Sequence, residues 1–214
     1  SRVLNDATIS DLYIRLVTVS TFVIMPIFMG LAAVADPFVT ITFGEKFAES
    51  ANYMTIMSFT MFPAILAWYL PNLLIAKAQT NTAFKLTLLS VSSNVLVSAV
   101  TIWFGITTML ASIVFINFIL LPVRFRIINR YIQVDFIKLC KSILPQYISA
   151  FLMFLSVYYI KGELRSFFDS DFLLLVFLIL VGGALYPILN FVIFKKHTLN
   201  TVYEIKDTFF KRKQ

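Results

Sequence analysis

Apolar side chains along this chain gather into six long runs, and polar side chains are concentrated between those runs. A helix of about 20 apolar residues, rising about 1.5 Å per residue, is as long as the hydrocarbon core of a bilayer is thick. The pattern therefore predicts an all-α fold: a polytopic membrane bundle of six transmembrane helices that occupies residues 1–214 as one transmembrane region. The runs cover residues 16–35, 51–76, 86–104, 106–123, 143–160 and 172–194.

Proline and glycine mark two of the breaks between the runs. Asp36-Pro37 follows the first run. Because the residue before a proline is biased away from helical angles, we expect the first span to end there. A short interfacial segment is then expected up to Gly44, before the next span begins. Only Gly105 separates the third run from the fourth, which predicts a tight hairpin.

The two ends of the chain carry more polar helical patterns. Residues 1–15 predict an interfacial or cytoplasmic helix, with Ser10-Asp11 as its N-cap. Residues 197–214 place apolar side chains near one face and lysines elsewhere, which predicts an amphipathic C-terminal helix on the membrane surface. The chain begins at Ser1 rather than at a methionine, and we expect it to be part of a longer protein.

Composition agrees with a membrane protein and argues against several other classes. The chain is 59% hydrophobic and only 14% charged, whereas about a quarter of a soluble domain is charged. A single cysteine, Cys140, excludes an internal disulfide, and a single histidine, His197, gives no basis for a histidine metal site. We therefore expect neither a metal nor a cofactor. The net charge of +7 is distributed between the apolar runs, so we read it as membrane topology and expect no nucleic acid partner.

The distribution of lysine and arginine predicts the orientation in the membrane. If the N-terminus is cytoplasmic and the six spans alternate, fifteen of the 18 basic residues lie on the inner side. Only Lys46, Lys161 and Arg165 then lie outside. Cytoplasmic loops of membrane proteins carry such an excess of basic residues. We therefore expect a multi-pass protein with both ends of this segment in the cytoplasm.

The sequence contains no recognisable catalytic motif, and the acidic residues fall at or beyond the ends of the spans. We therefore expect a transporter rather than an enzyme. The third span carries a polar stripe with spacings of three and four residues, which places its members on one helix face. That face is either a packing seam between helices or the wall of a transport path, and Asn94 is the member with most need of partners. The stripe consists of Thr87, Ser90, Asn94, Ser98 and Thr101.

The second span contains Pro63, Pro71 and Asn72 and runs into Lys77. Prolines within a span free backbone carbonyls and bend the helix, so this span is either a hinge beside a path or a static kink. Lys77 and Lys85 flank a short inner loop. They are candidates for the mouth of a cytoplasmic cavity, or they serve only to orient the loop.

The connector between the fourth and fifth spans is strongly basic. Arg124, Arg126 and Arg130 are its first basic residues. Such a loop is either topogenic, touching anionic lipid, or a site for a phosphate-bearing lipid headgroup, since the guanidinium fork matches phosphate oxygens. No lysine or arginine falls in the middle of a predicted span. A deep cationic site is therefore expected mostly outside this segment.

Taken in order, these landmarks resemble the C-terminal half of Wzx-type polysaccharide flippases, from the multidrug, oligosaccharidyl-lipid and polysaccharide exporter superfamily. The likeness covers most of the chain, from the end of an eighth span through spans nine to fourteen. One departure is Gln79-Thr80, where such proteins often carry a glycine followed by a basic residue. The residues that carry the resemblance are Ser1-Arg2, Asp6, Arg15, Pro26, Gly30, Asp36-Pro37, Phe43-Gly44-Glu45-Lys46-Phe47, Ala51, the segment 72–78 and Gly105.

The resemblance implies export of a lipid-linked oligosaccharide, an undecaprenyl-pyrophosphate repeat unit, across the bacterial inner membrane for O-antigen or exopolysaccharide synthesis. The implied partners are membrane lipid, the lipid-linked oligosaccharide and an N-terminal half of the same transporter. Two alternatives stay open. An ion-coupled multidrug exporter of the same superfamily would be expected to have a carboxylate within the membrane. A membrane polysaccharide polymerase or glycosyltransferase would have a large outer loop with catalytic acids or arginines.

Overall fold

The computed structural model describes residues 6–165, 167–168 and 170–210, and within them the side chains of residues 9–165, 167–168 and 170–194. All regular structure in this part of the chain is helical. Short 3₁₀ turns at Glu45–Phe47 and Ile102–Phe104 follow two of the helices. The α-helices are α1 (Asp6–Ala33), α2 (Ala35–Phe43), α3 (Ser50–Ser58), α4 (Met61–Trp68), α5 (Leu70–Ala76), α6 (Thr80–Thr101), α7 (Ile106–Ile128), α8 (Phe136–Leu164) and α9 (Asp171–Phe210).

Five of the described helical segments are long and apolar enough to cross a membrane. The pair Ser50–Ser58 and Met61–Ala76, which is bent by 43°, makes a sixth if it is counted as one broken span. The prediction of an all-α, polytopic membrane bundle is confirmed. The five segments are Ile9–Ala33, Thr80–Phe104, Ile106–Ile128, Phe136–Leu164 and Asp171–Phe194.

The first helix is longer than the sequence pattern predicted. α1 begins at Asp6 and runs without interruption to Ala33, so the predicted N-cap at Ser10-Asp11 is wrong. Tyr13 and Val17 are fully buried. Because these two positions are four residues apart, the buried face of the N-terminal stretch continues into the apolar span as one helix. A break is present but lies earlier than predicted: α1 ends at Ala33 and α2 begins at Ala35, so Asp36 and Pro37 lie in the first turn of α2 rather than at the end of α1.

The second predicted span is divided into α3, α4 and α5. Pro63 lies in the first turn of α4, and Pro71 lies in the first turn of α5. The first N–H groups of a helix have no acceptor within it, so a proline is tolerated there, whereas it would interrupt the middle of a helix. Near the break between α4 and α5, the hydroxyl of Tyr13 donates a hydrogen bond to the carbonyl of Leu66 (2.7 Å). The prolines therefore coincide with starts of helices, and another helix satisfies a carbonyl at the break.

The fourth and fifth spans also extend beyond their predicted ends. α7 continues to Ile128 and α8 begins at Phe136, so the predicted basic connector shrinks to a short loop. Arg124 and Arg126 are therefore helical residues, not loop residues. The apolar run ends at Val123, but the buried face of α7 continues through Phe125 and Ile128. A hydropathy window ends where charge begins and therefore misses an amphipathic last turn.

The C-terminal segment is helical as far as Phe210, with a kink at Phe194 (φ −130°, ψ 41°). The helical part of the amphipathic-tail prediction agrees with this backbone. Its apolar face and residues 211–214 lie outside the described side chains and residues.

The chain divides into two compact units. Unit 1 contains Ser1–Ser20 and Thr60–Ile143, and unit 2 contains Thr21–Phe59 and Leu144–Gln214. In unit 1, α6 and α7 form a hairpin that packs with α4 and α5. Gly105, at φ +101°, makes the turn of this hairpin in a conformation that favours glycine.

Unit 2 has a buried cluster of Ala35, Val39 and Ala51 between α2 and α3. Lys161 is buried in this unit and pairs with Asp36 (2.5 Å), and its ammonium lies 4.6 Å from the ring centre of Tyr158. A second cavity, of about 460 Å³, has almost entirely apolar walls from α1, α2, α8 and α9.

Candidate functional site

A cavity of about 430 Å³ lies in unit 1 between α4, α5, α6 and α7. Most of its wall is apolar, and its polar groups come from α6 and α7. Trp68, which is 60% exposed, contributes an aromatic surface at the end of α4. The lining residues are Met61, Ala64, Ala67, Trp68, Leu70, Pro71, Leu86, Thr87, Ser90, Val91, Asn94, Asn117 and Arg124.

The polar groups of the cavity form one hydrogen-bonded network. Nη2 of Arg124 donates to Oγ of Ser90 (2.9 Å) and to Oδ1 of Asn117 (3.1 Å). Nδ2 of Asn117 donates to Oδ1 of Asn94 (3.1 Å) and to the carbonyl of Ile113 (2.9 Å). The orientation of the Asn117 amide is thereby defined, because its oxygen accepts from a cation while its nitrogen donates to two oxygens.

The network lies at mid-depth of the two spans that carry it. Asn117 is the central residue of the span Ile106–Ile128, and Ser90 is two residues from the centre of the span Thr80–Phe104. Arg124 is close to the C-terminal end of α7, yet its guanidinium reaches Asn117, seven residues earlier. Side chains on a helix lean toward its N-terminus, which is the direction that this arginine takes.

Charge in the cavity is of one sign. Arg124 is only 7% exposed. No aspartate or glutamate is among the cavity-lining residues, and Arg124 forms no ion pair within the described part of the chain. Hydroxyl and amide oxygens alone therefore hold a guanidinium inside an apolar bundle.

The structure brings together three of the predicted site residues: Ser90, Asn94 and Arg124. The expectation that Asn94 needs a polar partner is met by Asn117. For Arg124 the structure corrects the predicted position in a loop, because its burial and its bonds to Ser90 and Asn117 place it in the cavity. Its predicted contact with a lipid headgroup stays a prediction.

The remaining predicted site residues do not line this cavity. Ser98 is half-buried farther along α6, and Lys77 is half-buried at the end of α5. The side chains exposed at the surface are those of Asn72, Lys85, Arg126 and Arg130.

Asn117 is the central member that the sequence pattern did not single out. It lies within a run counted as uniformly apolar, and the arginine that it orients lies beyond the end of that run. The available signal was the seven-residue spacing between Asn117 and Arg124, which is about two helical turns and places both on one face. Among the described residues, no group of three or more His, Cys, Asp and Glu side chains is arranged to hold a metal ion.

A family model described as "Polysaccharide biosynthesis protein" matches residues 1–52. The match supports a role for this chain in polysaccharide biosynthesis or export. It covers about a quarter of the chain, namely α1, α2 and the beginning of α3, and not the residues of the cavity. No curated protein and no solved structure gave a significant match.

Proposed function

We propose that this chain is part of a transporter that moves a lipid-linked oligosaccharide, an undecaprenyl-pyrophosphate repeat unit, from the inner to the outer leaflet of a bacterial inner membrane. The observation that carries the proposal is a cavity within membrane-spanning helices whose mostly apolar wall carries the polar groups of Ser90, Asn94, Asn117 and Arg124. The match to polysaccharide biosynthesis proteins supports the substrate class.

The barrier that such a transporter removes is the transfer of sugars and phosphates into hydrocarbon. A polar group moved into an apolar phase without hydrogen bonds costs roughly 2–7 kcal/mol, and a charge costs more. Amide and hydroxyl groups at mid-depth replace part of the water that the headgroup loses. The apolar part of the wall is compatible with the lipid chain to which the headgroup is attached.

In this proposal both ends of the segment are cytoplasmic, and an N-terminal half of the same transporter completes the path. The chain then acts by binding and conformational change, without a reaction or a cofactor. An ion-coupled drug exporter would be favoured if the deletion strain were drug-sensitive and made normal polysaccharide. A polymerase would be favoured if that strain exported single repeat units without joining them.

A deletion strain tests the function directly. We expect loss of surface polysaccharide and accumulation of lipid-linked repeat units on the inner side, measured by extraction and mass spectrometry. Normal surface polysaccharide in that strain would refute the proposal.

Asn94→Leu tests whether the cavity belongs to the path. We expect N94L to lower export at unchanged membrane abundance, because it removes the acceptor for Asn117 and places an apolar side chain in the wall. Ser92→Leu is the matched control, since Ser92 is exposed on the same helix and its hydroxyl donates a hydrogen bond to the backbone carbonyl of Leu88 (2.7 Å). Equal export by N94L and S92L would assign Asn94 to packing alone.

A further inference from the structure

The direction of the Arg124 side chain is the unusual feature of the cavity. Long cationic side chains near the end of a span normally extend outward to the headgroups, because water and phosphates there solvate the charge. Arg124 lies four residues from the end of α7, so its Cα is only about 6 Å from that end. Its guanidinium instead extends inward, to the mid-depth residues Ser90 and Asn117.

Only one of the three guanidinium nitrogens of Arg124 is hydrogen-bonded to neighbouring side chains of the described chain. Nη2 makes both hydrogen bonds, which accounts for its two N–H groups. Among the residues that the structure describes, Nε and Nη1 of Arg124 have no hydrogen-bond partner. Three N–H donors therefore remain on a side chain that lines the cavity.

The neighbours also leave the charge uncompensated. Asn117 and Ser90 are neutral, and the described residues that line the cavity include no carboxylate. An ionised group held away from water normally has an opposite charge beside it, since desolvation otherwise outweighs the gain from neutral hydrogen bonds. Within the described part of this chain, Arg124 therefore lacks an anionic partner, and an anion from outside these residues would supply one.

We infer that Arg124 forms an intramembrane phosphate site, in which its free N–H donors bind phosphate oxygens of a lipid-linked phosphate or pyrophosphate. Planar guanidinium donors match two oxygens of one phosphate group. The apolar wall around Leu86 and Val91 accommodates the adjoining lipid chain. Only the identity of the lipid, an isoprenoid carrier, rests on the proposed function.

Asn117 is the positioning residue of this site. Its amide nitrogen is held by Asn94 and the carbonyl of Ile113, so its oxygen faces Arg124 and holds Nη2. Asn117→Asp preserves the size of the side chain and places a carboxylate beside the guanidinium, while it removes the hydrogen bonds that Nδ2 donates to Asn94 and to the carbonyl of Ile113. The variant N117D therefore supplies an internal anion that competes with the phosphate while keeping Arg124 itself intact.

The test is equilibrium binding of radiolabelled undecaprenyl phosphate to the full-length protein in phosphatidylcholine nanodiscs, with inorganic pyrophosphate as competitor. A charge-assisted hydrogen bond contributes about 1.5–3 kcal/mol, so we expect Arg124→Gln and N117D to weaken binding at least ~10-fold. Arg126→Gln is the matched control, because Arg126 is exposed on the same helix two residues away. We expect R126Q to bind like the wild type.

Each outcome has a defined meaning. Equal weakening by R124Q and R126Q, or wild-type binding by N117D, would overturn the site. If R124Q does not fold, N117D carries the test, since it changes one atom type in a native-sized side chain. Phosphatidylglycerol that competes in the wild type but not in R124Q supports a site for lipid phosphates in general. Absence of that competition supports selectivity for the isoprenoid phosphate.

The binding measurement is independent of transport. Retained, Arg124-dependent binding together with a normal deletion strain would refute the proposed function and leave the phosphate site standing. Defective export in the deletion strain, together with unchanged binding by R124Q and N117D, would support the proposed function and refute the phosphate site.

Discussion

Ala78 occupies a backbone conformation that favours glycine. Its φ of 57° is the one positive value at a non-glycine residue in the described chain. Ala78 ends α5 with two hydrogen bonds: its N–H bonds to the carbonyl of Ile75 (2.9 Å), and the N–H of Gln79 bonds to the carbonyl of Leu74 (2.8 Å). This is the glycine-favouring end of a helix known as the Schellman motif. A side chain at this position strains the connection between α5 and α6.

Replacing Ala78 with glycine should therefore stabilise the protein. We expect A78G to raise the free energy of unfolding by about 0.5–1 kcal/mol, because it removes the left-handed strain at only a partial entropic cost. The measurement is the thermal unfolding midpoint of the purified protein. Ala76→Gly, two residues earlier within α5, is the control and should lower the midpoint. A lower midpoint for A78G would show that the side chain contributes packing that outweighs the strain.

Helices in this protein compensate for each other's prolines. Pro26 has no N–H, so the carbonyl of Phe22 lacks its usual donor within α1. In unit 2 the hydroxyl of Tyr186, from α9, donates to that carbonyl (2.9 Å), and the two aromatic rings are in contact. A tyrosine on one helix thus replaces the hydrogen bond that a proline removes from another.

Tyr186→Phe should destabilise the protein by about 1 kcal/mol, the net contribution of a typical buried hydrogen bond. In a Pro26→Ala background the loss should be smaller, because the alanine N–H restores the internal donor for Phe22. The four thermal unfolding midpoints of this double-mutant cycle provide the measurement. Tyr159→Phe, at a 70% exposed position, is the control and should have no effect. Equal losses in both backgrounds would mean that the hydroxyl does not compensate for Pro26.

At the level of elements, the apolar runs and the helix-breaking residues predicted those features of the fold that depend on local sequence. The break after Ala33 and the hairpin at Gly105 follow from Asp36-Pro37 and from a lone glycine between two spans. The start of α1, the end of α7 and the start of α8 did not follow, since these terminal turns are amphipathic and their buried faces are defined by neighbours in the fold. The cavity was only half predicted for the same reason. Ser90 and Asn94 form a visible stripe, whereas the role of Arg124 depends on which way one long side chain points.

At the level of the whole molecule, the orientation predicted from lysine and arginine is open to a direct test. The structure adds one relevant contact in unit 1: Lys138 pairs with Asp11 (2.7 Å), and both side chains are exposed. The beginning of α8 therefore lies beside the N-terminal part of α1, as expected for two spans that start on the same side of the membrane.

Cysteine labelling tests this orientation in the full-length protein. In a Cys140→Ala background, a cysteine introduced at Lys138 should react with an impermeant maleimide only in inside-out vesicles, and one introduced at Lys46 only in intact spheroplasts. The expectation follows from the excess of basic residues on the cytoplasmic side. Labelling of the position-138 cysteine in intact spheroplasts would contradict the predicted orientation.

The depth of the Arg124 guanidinium has an electrical consequence for the proposed transporter. A negative charge that travels from the cytoplasm to the level of Asn117 crosses about half of the membrane voltage. One elementary charge across the full voltage corresponds to about 2.3 kcal/mol per 100 mV, so this half-way step is worth about 1 kcal/mol at that voltage. Because the cytoplasm of energised bacteria is at negative potential, the voltage drives an anionic headgroup from the cytoplasmic surface into the membrane, toward the arginine. An energised membrane thus favours binding of the anionic headgroup at the arginine.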